Sequence, residues 1–304
     1  MRIVSFLPSA TETLYELGLG RQLVGVTHEC KYPPAARKKP QVIHPSFDPA
    51  RMTGKEIDSK IVELVRSGGD IYLVDEKALK EADPELIVAQ GLCEVCSPFT
   101  KEIGRAVSVL GGKPDVLVLD PHDLDDVLVS IMDVAEKVGR VKEGRKLVSS
   151  LQKRIDAVRA MKVKGSRPKV ACIEWVDPPF TAGHWVPQMV EYAGGINGLS
   201  VAGEQSRRTD LEEIAKFDPD IIVMMPCGFG VERTLEEMKT LKGNEKWESL
   251  RAVKQKIVYA VESGAYFSKP SPRTVVGLEI LAKIIHPEAA RKIRVPKGSY
   301  KKVK

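Results

Sequence analysis

Long hydrophobic runs are missing from this chain, and no window reaches transmembrane length, which excludes a helical membrane span. The amino terminus also lacks the basic start, apolar stretch and small-residue cleavage site of a secretory leader, because Met1 runs straight into a strand-like segment. Together these absences predict a soluble cytoplasmic protein with no direct membrane insertion, or an extracytoplasmic one if the amino terminus has been trimmed. Cysteine is scarce, with five in 304 residues, so a disulfide framework is not expected and the thiols are read as reduced. Catalytic signatures are absent as well: there is no nucleotide-binding glycine loop, no Gly-Lys-Ser/Thr phosphate loop and no His-Glu-x-x-His zinc motif. Nothing specific argues for an enzyme. No helix, finger or aromatic-basic pattern points to nucleic acid, and the net charge of +6 partly reflects a basic, solvated tail over residues 291–304.

What the chain does have is enough apolar content, 43%, to build real cores, and a length that suits two domains. An internal repeat supports that division. Residues 75–88 read DEKALKEADPELIV and residues 210–223 read DLEEIAKFDPDIIV, with both Asp, the Pro and the apolar run in the same places. Each copy predicts a short helix, an Asp-Pro turn that ends it, and a buried strand. Between the copies, Val148, Leu151, Ile155 and Val158 recur at helical spacing, so residues 141–162 predict an amphipathic helix roughly 30 Å long. The expected class is therefore α/β: two Rossmann-like lobes with central parallel sheets, joined by a single long backbone helix, with a ligand cleft between the lobes. The expected divisions are residues 1–140, the linker helix 141–165, and residues 166–304. Locally, Ser9-Ala10-Thr11-Glu12 reads as a capping box opening the first helix, and residues 39–53 read as irregular.

In open α/β sheets ligands sit beyond the carboxyl ends of the strands. The loops at those ends carry His28, Glu29, Cys30, Cys93, Cys96, Trp175, Asp177, Phe180, His184, Cys227 and Tyr266. Cys93-x-x-Cys96 has metal-ligand spacing but lacks the second pair of a zinc ribbon, so direct zinc or iron binding would need help from His28 or Cys30. The Pro- and Gly-rich settings of Trp175, Phe180 and Tyr266 suit a cleft wall.

Several of these stretches carry a family resemblance. Tyr32-Pro33-Pro34, Pro178-Pro179-Phe180-Thr181, the helix end Gly194-Gly195 and Ser271-Pro272-Arg273 resemble, in collinear order, the cobalamin-binding proteins of ABC importers. More broadly, the chain is similar to the helical-backbone metal receptors, class III of the substrate-binding proteins. The resemblance implies a non-catalytic receptor for cobalamin, a related corrinoid or another small-molecule metal chelate, with an ABC permease as partner. It makes Phe180 a wall for an apolar ring and Arg273 a hydrogen-bonding group at the rim. The chain departs from that pattern at Glu29, where those proteins place a tyrosine and which Cys30 follows here, and at Cys93 to Cys96, where they place tryptophans. Two further readings stand beside it: a cytoplasmic protein holding zinc or iron through its Cys and His residues, and an enzyme acting on a bound corrinoid or small molecule.

Overall fold

The structure, a computed structural model, describes residues 1–91, 100–163 and 165–303. The chain divides into two compact units, residues 1–121 with 125–149, and residues 122–124 with 150–304. The first unit and the linker are built from β1 (Ile3–Ser5), α1 (Pro8–Glu16), β2 (Leu23–Thr27), β3 (Gln41–Pro45), α2 (Gly54–Ser67), β4 (Tyr72–Val74), α3 (Glu76–Ala82), β5 (Leu86–Gln90), α4 (Thr100–Val109), β6 (Asp115–Leu119), α5 (Leu124–Lys137) and α6 (Val141–Arg159). The second contains β7 (Val170–Trp175), β8 (Phe180–Thr181), α7 (Val186–Tyr192), β9 (Arg207–Arg208), α8 (Leu211–Phe217), β10 (Ile221–Met224), α9 (Val231–Glu237), α10 (Glu245–Ser249), α11 (Arg251–Lys254), β11 (Val258–Val261), α12 (Ser263–Tyr266), α13 (Thr274–Ile285) and β12 (Tyr300–Lys302). The expected α/β class holds.

Each unit has its own six-stranded sheet, in the order β4-β3-β2-β1-β5-β6 in the first and β12-β11-β10-β7-β8-β9 in the second. The central strands pair in parallel and are covered on both faces, so they read as continuous apolar runs rather than alternating ones. In β1 and β5 the pleat sends Ile3, Leu86 and Val88 into one core and Val4, Ile87 and Ala89 into the other. A Cβ on Gly25 of β2 would lie 2.9 Å from Val42, so only glycine lets β2 and β3 pack as they do.

The internal repeat is structural down to single hydrogen bonds. Asp75 and Asp210 cap α3 and α8 by accepting from the Ala78 and Glu213 amides, and Asp83 and Asp218 end them at left-handed φ of 38° and 51°. The strand that follows docks in the same way in both units: the amides of Glu85 and Leu86 donate to Arg2 O, and those of Asp220 and Ile221 donate to Lys169 O. The side chains of Glu85 and Asp220 return the bond by accepting from the Arg2 and Lys169 amides, at 2.6 and 2.8 Å.

Three local expectations differ from the structure. Ser9 does not cap α1: Pro8 fixes the first turn, Leu7 is the extended residue before it, and Glu12 is buried. The reciprocal capping box opens α2 instead, between Thr53 and Glu56. Residues 39–53 contain β3, and the basic tail adds β12 antiparallel to β11, with Val303 N donating to Val258 O.

Helix α6 is unbroken, and the division between the units falls inside it, between Ser149 and Ser150. Its first half meets α5 closely, because a Cβ on Gly144 would sit 2.4 Å from that of Ala135. Its second half buries Leu151, Ile155 and Val158 and joins α13 through Arg154, whose Nε and Nη2 donate to Glu279 at 2.9 and 2.7 Å.

Candidate functional site

In the second unit, β7, β10 and β11 run parallel and their carboxyl ends lie at one edge. The site residues of this unit are set by how β7 finishes. Ile173 pairs with Thr181 and Trp175 with Phe180, so Glu174 is an extra residue, a bulge that re-aims the strand. Glu174 is held there on both sides, its carbonyl accepting from Cys227 N at 3.0 Å and its carboxylate from Ser206 Oγ at 2.6 Å. Phe180 pairs in turn with Arg208 on β9. Residues directly opposite on antiparallel strands share a face, so Trp175, Phe180 and Arg208 stand side by side across three strands.

The line continues beyond β10. The Phe229 ring lies 5.2 Å from that of Trp175, at 54°, and the Arg233 guanidinium carbon lies 3.8 Å from the Phe229 centroid. At the other end the Arg208 guanidinium carbon is 5.4 Å from the Phe180 centroid. Both distances fall within the range of cation–π attraction. The loop that carries Phe229 is fixed by close packing: Gly228 N donates to Ser268 Oγ, Gly264 N donates to Phe229 O, and a Cβ on Gly264 would lie 2.7 Å from Gly228 O. Beyond it, Arg273 lies 5.6 Å from the Tyr266 centroid.

Of the expected residues, Trp175, Phe180, Tyr266 and Arg273 therefore come to this edge. Asp177 lies in the turn between β7 and β8, preceding a cis peptide to Pro178. His184 has a left-handed φ of 53°, donates its amide to Glu204 O and stacks its ring 5.5 Å from Trp185, which is itself buried with its Nε1 donating to Phe267 O. Sequence reasoning missed Arg208, Phe229 and Arg233. Phe229 sits in a loop the sequence marks as a strand end, but its ring partner Trp175 comes from β7 and its cation partner Arg233 from the first turn of α9.

In the first unit His28 and Glu29 follow β2. His28 Nε2 is 3.8 Å from Glu29 Oε1, Lys31 Nζ is 3.3 Å from the same oxygen, and the His28 ring lies 6.0 Å from that of Tyr72. Burial pushes the His28 pKa down against the opposing pull of Glu29, and its Nδ1 is buried with no hydrogen-bond partner among the described residues. Cys30 is not a ligand facing the strand ends. Its amide turns back onto Thr27 O, and the thiol enters the core at 3% exposure, accepting from Thr11 Oγ1 at 3.0 Å. Cys172 is likewise buried in β7, where desolvation and then Glu174 raise its pKa well above the ordinary thiol range. Cys227 is half-buried. Cys93 and Cys96 lie outside the described residues. Among the described residues no three His, Cys, Asp or Glu side chains gather to hold a metal ion, and no helix is long and apolar enough to cross a membrane.

Against known proteins, the family model for periplasmic binding proteins matches residues 3–265. The chain belongs to that family. It is 28% identical over 295 residues, 94% of this chain and 80% of the relative, to the ABC transporter substrate-binding lipoprotein YvrC of Bacillus subtilis (strain 168). It is 27% identical over 149 residues to the high-affinity heme uptake system protein IsdE of Staphylococcus aureus (strain MRSA252), a match covering 47% of this chain and 50% of IsdE. Among solved structures, the vitamin B12 binding protein BtuF of Vibrio cholerae superposes with a TM-score of 0.66 at 20% identity, over 96% of this chain and 98% of BtuF. The fold is thus that of the class III binding proteins. The family also overturns the expectation of a cytoplasmic protein: its members are periplasmic binding proteins and YvrC is a lipoprotein. That expectation rested on where the sequence starts, which carries no information about the address of the folded units.

Proposed function

We propose that this protein is a non-catalytic substrate-binding protein that delivers a metal chelate built on a large conjugated ring to an ABC permease. The observation that carries the reading is the run of half-buried and buried aromatic rings, Trp175, Phe180 and Phe229, at the carboxyl edge of the second sheet. Such a run offers apolar ring contacts to a macrocycle. IsdE is named for heme and BtuF for vitamin B12, and both ligands are metal-bearing macrocycles. The burial of Cys30 removes one of the two residues, His28 and Cys30, expected to help Cys93 and Cys96 hold zinc or iron.

The test is titration of the purified protein with hemin and with cyanocobalamin, followed by visible absorbance and calorimetry. Stoichiometric binding of at least one is expected. Phe180→Ala and Trp175→Ala should each weaken it about 10- to 100-fold, the weight of one buried aromatic ring, with little change in melting temperature. No binding of either macrocycle, together with stoichiometric bound zinc or iron, would overturn the proposal.

A further inference from the structure

We propose that the basic strap over residues 291–302, folded along the outer edge of the second sheet, is a docking surface for an anionic lipid membrane. The positive charge of the chain is concentrated there. Residues 291–304 hold seven of the 47 Lys and Arg and none of the 41 Asp and Glu, so the rest of the chain carries 40 basic against 41 acidic side chains and is close to neutral. An asymmetry of that size in so short a stretch points to a polyanionic partner, since solubility would be served as well by scattered charge.

The strap is tied into the fold at both ends. Lys283 of α13 holds its start, with Nζ donating to Ala290 O at 3.4 Å and to Ile293 O at 3.0 Å. Ser299 is buried, its carbonyl accepts from Glu262 N at 2.8 Å, and β12 then pairs with β11 as the last strand of the sheet. Arg291, Lys292, Arg294, Lys297 and Lys302 are exposed, and among the described residues no ion pair engages any of them. Lys301 differs: it leaves β12 on the face opposite to Lys302 and meets Glu232 of α9 at 3.3 Å. Lys302 stands opposite Tyr259, and on that face the half-buried rings of Tyr259 and Tyr300 lie 6.3 Å apart. Tyrosines beside lysines suit the headgroup level of a membrane, where one end of the ring is apolar and the other wet. Because the backbone that carries the charges is already fixed, binding orders little besides side chains and costs less than capture of a loose tail.

Lipid is favoured over nucleic acid by what the strap presents. Reading a groove takes a helix or ribbon that enters it, and holding a single strand takes open rings for stacking. The aromatic residue of the strap, Tyr300, packs instead against Tyr259. A lipid surface asks only that cations face a plane of phosphates, and the contact is adsorption without insertion. The choice of a membrane rests on the proposed delivery to a permease, which brings the protein to one.

The experiment sediments the full chain with vesicles of phosphatidylcholine and with vesicles of phosphatidylcholine and phosphatidylglycerol in equal parts, at low and at high salt, and measures binding to duplex DNA separately. The anionic vesicles should bind at least tenfold more tightly than the neutral ones, with an advantage that fades as salt is raised. Each strap charge that reaches the surface is worth about fivefold, so Arg291→Gln with Lys292→Gln and Arg294→Gln should cost on the order of 100-fold. Lys153→Gln with Lys216→Gln and Lys242→Gln removes the same charge from exposed positions elsewhere in the second unit and should cost far less. Equal binding to the two kinds of vesicle would overturn the proposal, as would equal losses in the two triple variants or binding to DNA that exceeds binding to the anionic vesicles. The comparison of vesicles uses no variant, so it decides the matter even if a substitution prevents folding. Titration with hemin and cyanocobalamin is scored apart: vesicle binding without macrocycle binding would overturn the receptor reading and leave the lipid contact standing, and the reverse result would do the opposite.

Discussion

His28 shows at the residue scale how a loop position acquires a measurable property. Its ring is half-buried beside Tyr72, and desolvation lowers its pKa from the ordinary 6.5 despite Glu29 at 3.8 Å. Above pH 6.5 the imidazole is neutral in both the folded and the unfolded chain, so it contributes no pH dependence there. As the pH falls below that value the unfolded chain takes up the proton first, and the folded state loses stability until the pH passes the lowered value. Melting temperatures measured from pH 7.5 to 5.5 should therefore fall more steeply for the unaltered protein than for His28→Gln; parallel curves would refute the assignment. Cys30, two positions on, reads in sequence as the same kind of loop residue. Its fate was hidden because one turn onto Thr27 O decides whether a side chain enters the core, and no pattern in neighbouring residues reports that turn. Arg208 was hidden for a related reason: it is placed by a ring on another strand, which linear spacing does not record.

Elements were far more legible where their stabilising groups are local. Both copies of the repeat were readable, because the capping Asp, the left-handed Asp before Pro and the apolar strand are all written within fourteen residues of sequence. Helix α13 was expected at residues 274–285 and forms there, since its apolar face is continuous. Strands β3, β4 and β12 were not legible: they are short and lie at or near sheet edges, so their identity depends on the neighbouring strand. The false capping box at Ser9 has the same lesson, in that a pattern of hydrogen-bonding residues forms a cap only where the preceding backbone leaves the amides open. The repeat also makes a quantitative prediction. Asp75→Ala and Asp210→Ala each remove the side chain that satisfies a helix amide, and each should lower stability by about 1 kcal/mol in chemical denaturation. Because the two caps share no partner, the double variant should lose about 2 kcal/mol, and a clearly smaller or larger sum would show that the copies are coupled.

For the whole molecule, the division inside α6 makes one helix a structural member of both units. One of its ties to the second is the Arg154–Glu279 pair, with side-chain exposures of 37% and 11%. Arg154→Met keeps the packing of the stem but strands the Glu279 carboxylate, and should destabilise the protein by about 2 kcal/mol, below the range for fully buried pairs because the arginine is partly solvated. Arg154→Met with Glu279→Gln should recover part of that loss in a double-mutant cycle; no recovery would mean the pair contributes through packing alone. The same pair has a consequence in time. Arg154 is made 125 residues before Glu279, so at about 5–20 residues per second the second half of α6 waits roughly 6–25 s during synthesis for its partner to exist. Through that interval Arg154 stands on the nascent chain without the carboxylate it will pair with, which makes this tie one of the later contacts the chain can form.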